Sequence, residues 1–156
     1  MPRTMVMPYA HAMTVYDGTP AADDVLDMVC RIVRPHRAQL TILHVKLVPL
    51  KEPLPRYEPG KDAETDDLVA RAERLADSRG VKAASAVRYA RALGAVVVSE
   101  ARVRGVDLLA LLAPDVVDRT PAGRCISPDL ETVLRRATCA VMLCRPSREG
   151  ELGSER

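Results

Sequence analysis

The feature that most constrains the fold is an apolar run that stops at an acid and a glycine and passes directly into a helix start, at residues 13–20 (MTVYDGTP). The run is typical of a buried strand followed by a tight turn. Thr19 can cap the next helix through its hydroxyl, and Pro20 suits the first helical position, where no backbone N–H is needed. Because ligands bind at the carboxyl ends of strands in open α/β sheets, we expect a binding site at this turn.

The rest of the chain alternates apolar runs with segments of helical periodicity. The apolar runs are hydrophobic on both faces, as strands of a parallel sheet are, and the other segments place apolar residues at helical spacing. Ser127, Pro128 and Asp129 start the last helix in the same way that Thr19 and Pro20 start the first. Strands are predicted at residues 10–16, 38–48, 81–89, 106–113 and 139–145, and helices at residues 20–34, 62–79, 93–104 and from 127 onward.

This order predicts a three-layer α/β/α sandwich around a doubly wound, five-stranded parallel sheet, because right-handed crossovers place helices on both faces. The third strand is short of large apolar residues and is best placed at a sheet edge. Gly94 lies inside the third helix, where glycine costs about 1 kcal/mol relative to alanine. Residues 49–60, which are rich in proline, and residues 114–126 are expected to be irregular loops.

Composition indicates a single domain with an aliphatic core. The chain has 156 residues, is 47% hydrophobic and contains no Phe or Trp. A net charge of +2, from 23 basic and 21 acidic residues, gives no reason to expect nucleic acid or a membrane surface as a partner. The four cysteines resemble buried thiols of a reducing compartment, which predicts a cytoplasmic protein. We expect one domain at residues 10–146 between flexible termini, residues 1–9 and 147–156.

No motif in the sequence indicates catalysis or a metal site. The three histidines are far apart, and the cysteines and histidines lack the spacing of a zinc site. No serine or cysteine nucleophile is paired with a base in a known motif. We therefore expect neither catalytic nor metal-ligating residues.

Four stretches of the chain resemble the universal stress protein family, in the order that the family has them. They are V-Y-D-G-T-P at residues 15–20, L-H-V at 43–45, G-V-D-L-L at 105–109 and V-L-R-R-A-T-C-A-V at 133–141. The last is the most specific. The resemblance implies a central first strand and a ligand site between the first and fourth strands.

The resemblance also implies that the ATP-binding glycine motif of the family is degenerate here. Many members bind phosphates through G-x-x-G followed by G-[ST], whose glycines let the backbone approach the phosphates. In this chain the matching positions are Leu112, Asp115 and the pair Ser127-Pro128, and Gly123 is out of register. Pro128 removes an amide donor, and Asp115 would put a carboxylate beside a triphosphate.

The adenine half of the site is better matched. In ATP-binding members the acid after the first strand and the valine of the second strand contact the base, and these positions match Asp17 and Val45. We expect Asp17, Val45 and Ser127 to form a vestigial nucleotide site that holds no cofactor. The alternative is that this site binds ATP or AMP. Asp17 has a second interpretation, a turn acid that accepts from its own backbone amides. Arg119 and Arg124 are either anion ligands or solvated loop residues.

These observations favour a cytosolic stress-response protein of the non-ATP-binding kind, which acts through protein contacts as a homodimer. The alternative is an adenine-nucleotide-binding stress regulator with an altered phosphate loop; an enzyme on the same scaffold is disfavoured. The last strand is hydrophobic and lies at a sheet edge, so a second copy would protect it from aggregation. We expect the dimer to form through Ala140, Val141, Met142, Leu143 and Cys144.

Overall fold

The computed structural model describes residues 9–113, 118–120, 123–125 and 127–145, in which strands and helices alternate as predicted. A single 3₁₀ turn, Arg34–His36, follows the first helix. The elements are β1 (His11–Val15), α1 (Pro20–Val33), β2 (Gln39–Leu47), α2 (Ala63–Ser78), β3 (Ala83–Ala90), α3 (Leu93–Val103), β4 (Leu108–Leu112), β5 (Asp118–Thr120), β6 (Gly123–Cys125), α4 (Pro128–Arg136) and β7 (Ala140–Cys144).

The main sheet has five parallel strands in the order β3-β2-β1-β4-β7. In the register of the central strands, Val15 of β1 pairs with Leu43 of β2, and Thr14 pairs with Ala110 of β4. The predicted parallel, doubly wound sheet is confirmed, with β1 at its centre and β3 at one edge. The strand β7 forms the other edge of the described sheet.

The helices cover the sheet on two sides and enclose two clusters of buried side chains. One cluster joins α1 and α2 to the sheet and includes Leu26, Val29 and Ala72. The other joins α3 and α4 to the opposite face and includes Val97 and Val133. Both clusters are aliphatic apart from a few residues such as Tyr16 and Cys30, as the composition predicts. The sandwich therefore has three layers.

The sequence predicts buried cysteines and flexible chain ends, and the structure describes some of these residues. Cys30 and Cys144 are buried, and burial raises the pKa of the Cys30 thiol to about 11. Tyr9 packs against the first cluster, and the flexibility of the terminal segments remains a prediction. Residues 1–8 and 146–156 lie outside the described residues. Within the described part of the chain, no helix is both long and apolar enough to cross a membrane.

The expectation of an irregular loop at residues 114–126 is wrong in part. The strands β5 and β6 pair there as an antiparallel hairpin, with Arg119 opposite Arg124. Three-residue strands are too short to show the alternation by which a strand is recognised in a sequence. Asp115, one of the expected glycine-motif positions, lies outside the described residues.

Asp62 ties the connection after β2 to two strands and a helix. Its carboxylate accepts from Lys46 Nζ at 2.9 Å and from Tyr89 Oη at 3.0 Å, on β2 and β3. It also caps α2 by accepting from the Thr65 amide at 3.2 Å. The hydrogen bond from Lys46, followed by those from Thr65, holds the pKa of the Asp62 carboxyl well below its usual range.

This geometry predicts a specific acid sensitivity. A carboxyl with a depressed pKa in the folded state stabilises the fold fully above its ordinary pKa, and that contribution is lost as the pH falls towards the folded value. Asp62→Asn should therefore lower the free energy of unfolding at pH 7 and flatten its fall between about pH 5 and 3. Urea unfolding followed by circular dichroism measures both. Asp67→Asn, at an exposed position of the same helix, is the control, and parallel pH profiles for Asp62→Asn and wild type would contradict the assignment.

Candidate ligand-binding site

A cavity of about 380 Å³ opens at the carboxyl ends of β1 and β4. From β1 the chain winds to one face of the sheet, and from β4 it winds to the other, so a crevice is left between the two strands. Asp17, Val45 and Ser127 all line this cavity. The structure therefore brings together the three residues assigned to the vestigial nucleotide site from the sequence, and their ligand contacts remain a prediction.

Asp17 forms the turn that starts α1. Its Oδ1 accepts from the Thr19 amide at 3.0 Å and from the Thr19 hydroxyl at 2.6 Å. Thr19 in turn caps α1, because its Oγ1 accepts from the Ala22 amide at 3.2 Å. Gly18 between them has a φ of +80°, which favours glycine. The turn-acid interpretation of Asp17 is thus observed, while the same residue lines the cavity.

Val45 and the neighbouring side chains make the cavity walls apolar. Val45 is half-buried, and it packs against the cluster under α3 and α4. The remaining walls include Val15 of β1, Leu111 of β4, Leu93 of α3 and Leu130 of α4. Apolar walls with a few polar groups are typical of sites for small molecules.

Ser127 is the N-cap of α4, as predicted. Its Oγ accepts from the Leu130 amide at 3.2 Å, and its carbonyl accepts from the Glu131 amide at 2.9 Å. Pro128 follows at the first helical position and has no amide to offer a ligand. Ser127 lines the cavity, and its hydroxyl keeps a hydrogen that can be donated.

Two lining residues, Gly94 and Asp129, were not identified from the sequence. Ala92 precedes α3 and gives it no side-chain cap; instead, Asp129 Oδ1 on α4 accepts from the Gly94 amide at 2.8 Å. A Cβ at Gly94 would lie 2.6 Å from the Asp129 carbonyl oxygen, so this glycine permits the close approach of the two helices. One feature of the sequence could have indicated this contact: a glycine in the first turn of a predicted helix can have a packing role.

The charged side chains lining the cavity are all acidic in the part of the chain that the structure describes. They are Asp17 and Asp129. Tyr16 also lines it, but its hydroxyl donates to Asp23 at 2.6 Å, and burial raises the pKa of the phenol well above its usual range. The backbones of Arg119 and Arg124 pair with each other in the hairpin. The described lining therefore offers acceptors and apolar contact, with no cation for a phosphate.

Comparison with known proteins then identifies the family. A model of the universal stress protein family matches residues 8–145. The chain belongs to the universal stress protein family. The predicted membership is confirmed over nearly the whole chain, and it includes every residue of the cavity. Comparison with curated protein sequences gave no match.

Solved universal stress proteins share the fold of this family member. One in complex with cAMP has 20% identity and a TM-score of 0.66, over 86% of this chain and 95% of that one. The protein UspA from Lactobacillus plantarum has 18% identity and a TM-score of 0.66, over 88% and 98%. One from Archaeoglobus fulgidus in complex with dAMP has 12% identity and a TM-score of 0.63, over 86% and 97%. At these identities the likeness shows the fold alone.

The contact between α3 and α4 generates a prediction at Gly94. An alanine would favour the helix by about 1 kcal/mol, but its Cβ would collide with the backbone of α4, and such overpacking costs about 1–3 kcal/mol. Gly94→Ala should therefore lower the free energy of unfolding in urea, by about 1 kcal/mol. Ser99→Ala, at an exposed position of the same helix, should leave it equal or slightly higher. A stabilised Gly94→Ala protein would show that α4 does not approach α3 so closely.

Proposed function

We propose that the protein is a cytoplasmic stress-response protein that acts by binding rather than catalysis, and that its cavity accepts an uncharged, adenosine-like ligand in preference to ATP. Membership of the universal stress protein family supports the role in stress response. The observation that carries the ligand class is the charge of the described cavity lining, in which Asp17 and Asp129 are the charged residues.

The energetics disfavour a triphosphate at this lining. Each hydrogen bond to a charged group contributes about 1.5–3 kcal/mol, and each 1.4 kcal/mol changes affinity about tenfold. Pro128 has no amide, and the Gly94 amide already donates to Asp129. Losing even one such donor lowers the affinity for ATP by at least about tenfold, before the repulsion between its phosphates and two carboxylates is counted.

The adenosine part of a ligand meets more favourable groups. Val45, Val15 and the leucines offer apolar contact to a flat base, and the Asp17 carboxylate is an acceptor for an amino or hydroxyl group. The turn holds Asp17 Oδ1 in place through Thr19, so little side-chain entropy is lost on binding.

A second candidate function is an adenine-nucleotide-binding stress regulator. It is favoured by the solved relatives in complex with cAMP and dAMP, whose fold this chain shares. Residues 114–117, 121–122 and 126 lie outside the described residues, and a phosphate site in this candidate would be built from them.

A role in binding rather than catalysis is supported by His11 and His44, whose rings contact polar groups of the fold. Nδ1 of His44 lies 2.9 Å from the Tyr16 carbonyl, and the ring of His11 lies between the Arg104 carbonyl at 3.0 Å and the Thr41 hydroxyl at 2.7 Å. Within the described residues, no three His, Cys, Asp or Glu side chains could together hold a metal ion. Both imidazoles thus serve the packing of the strands.

Titration calorimetry with adenosine, AMP and ATP tests the ligand class. We expect affinity to fall in that order, because each phosphate adds negative charge beside Asp17 and Asp129. Asp129→Asn keeps an acceptor for the Gly94 amide but removes one negative charge. The ratio of the affinity for adenosine to that for ATP should therefore fall about fivefold, equivalent to about 1 kcal/mol. Asp24→Asn, an exposed residue on α1 outside the cavity, removes the same charge and should not narrow it.

Tighter binding of ATP than of adenosine by the wild-type protein would contradict the proposal and favour the nucleotide regulator. Absence of binding by all three compounds would contradict the ligand class altogether. The absorbance ratio and mass spectrum of the protein as purified show, independently, whether it carries a nucleotide.

The proposal includes a homodimer formed through β7. This strand pairs with β4 on one side. Its first four residues are half-buried or exposed, with Leu143 42% exposed, whereas Cys144 is buried. An apolar edge strand that remains unpaired favours aggregation, and antiparallel pairing with the same strand of a second copy satisfies both edges about a two-fold axis. The interface would contain Ala140, Val141, Met142, Leu143 and Cys144.

Leu143→Lys tests this interface. A lysine on each copy would place like charges near the two-fold axis, so the protein should sediment as a monomer at low micromolar concentration. Leu50→Lys makes the same change at a side chain that is 84% exposed in the connection after β2, and this variant should remain dimeric. A Leu143→Lys protein that stays dimeric would exclude β7 as the interface.

A further inference from the structure

A groove of about 830 Å³ runs along the outer edge of β3. Its floor is residues 85–89 of that strand, and it shares no lining residue with the ligand cavity. Tyr57 of the connection after β2, together with Val69 and Glu73 of α2, lines one side. Arg104, at the end of α3, lines the other. The groove therefore surrounds a sheet edge from both faces.

The strand at the floor of the groove is open to pairing. β3 pairs with β2 on one side, and no strand in the described part of the chain pairs with the other. An edge strand presents a row of N–H and C=O groups that can pair with another chain. Nη1 of Arg88 donates to the Val87 carbonyl at 2.8 Å, so a guanidinium covers part of this strand. Charged residues at an edge discourage indiscriminate pairing, so any partner has to match them.

The two faces of the strand present different chemistry. Successive side chains of a strand point to opposite faces. Tyr89 points to the α2 side, where its hydroxyl donates to Asp62 at 3.0 Å, and Tyr57 lies on the same side. Arg88 points to the α3 side, where its Nε donates to Glu100 at 2.6 Å. An added strand would meet aromatic and apolar surface on one face and guanidinium groups on the other.

The charge of the groove selects an acidic partner. Arg88 and Arg104 share the single carboxylate of Glu100, at 2.6 and 2.8 Å, which leaves one positive charge in excess on the α3 side. Glu73 is the carboxylate among the lining residues, and it lies on the α2 side. Arg56 is exposed at the rim and lies within 4 Å of no carboxylate in the described part of the chain. A second copy would bring the same positive charge, so self-pairing is disfavoured.

We propose that β3 binds an extended segment of a partner protein by strand addition, and that this segment alternates acidic with apolar residues. The acidic side chains face Arg88 and Arg104, and the apolar ones face Tyr57 and Tyr89. Backbone hydrogen bonds supply affinity in this mode, while the alternating side chains supply specificity. The floor of residues 85–89 fits a segment of about five residues, since a strand rises about 3.3 Å per residue.

The test uses the full-length ¹⁵N-labelled protein and the blocked peptide Ac-GEVEVEG-NH₂. We expect the amide resonances of residues 83–90 to shift and their hydrogen exchange to slow, with binding that weakens as salt is added. Arg104→Gln should weaken binding two- to fivefold, because it removes one partly exposed ion pair. Arg102→Gln makes the same change at an exposed position two residues away, outside the groove, and should bind like the wild type.

Three outcomes would overturn the proposal. The first is the absence of any shift in residues 83–90 at millimolar peptide. The second is equal binding of Ac-GKVKVKG-NH₂, which has the same alternation with the opposite charge. The third is displacement of the acidic peptide by a short oligouridylate that binds more tightly, which would assign the tyrosines and arginines to single-stranded nucleic acid.

Discussion

Burial of β1 on both faces is the constraint on which the architecture depends. Ala12, Met13 and Thr14 are almost inaccessible to solvent, and β1 is hydrogen-bonded to β2 on one side and β4 on the other. Helices must therefore cover both faces, and the chain winds in opposite directions from the two halves of the sheet. The cavity between β1 and β4 follows from this winding. Leu112 and Ser127, at two positions assigned to the glycine motif from the sequence, line this cavity, so the fold forms it with these side chains in place.

The polar atoms at the cavity are largely committed to the fold. Asp17 holds Thr19, Ser127 holds the Leu130 amide, and Asp129 holds the Gly94 amide. Each contact satisfies a group at a turn or helix start that would otherwise need a ligand or water. The two interpretations of Asp17 are therefore compatible, because a turn that fixes one carboxylate oxygen also fixes the position of the other. What the described lining presents to a ligand is mainly acceptors and apolar surface, which favours hydroxyl and amino groups over phosphates.

Sequence periodicity accounts for most of the fold, whereas the candidate site residues came from helix-start signals and the family resemblance. The order of strands and helices along the chain was predictable because aliphatic runs alternate with amphipathic segments. The small third strand was correctly placed at an edge, and the central position of β1 was implied by the family resemblance. The hairpin of β5 and β6 was missed because three residues per strand show no period. The contact of Asp129 with Gly94 was missed because it joins residues 35 positions apart. Periodicity indicates which side of a helix is buried, but it does not indicate which neighbouring helix comes closest.

The two edges of the sheet differ in chemistry, and this difference bears on how the molecule assembles. β7 presents apolar residues, with Leu143 half-exposed, whereas β3 presents small residues and the guanidinium of Arg88. The apolar surface of β7 can pack against the same surface of a second copy, whereas the positive charge at β3 would repel the same charge on a second copy. The chain therefore cannot pair with itself equally well through both edges. The edges lie four strand spacings apart, about 19 Å at 4.8 Å per spacing. In the proposed dimer, pairing through β7 would therefore leave the β3 groove of each copy facing outward, where a different protein could reach it.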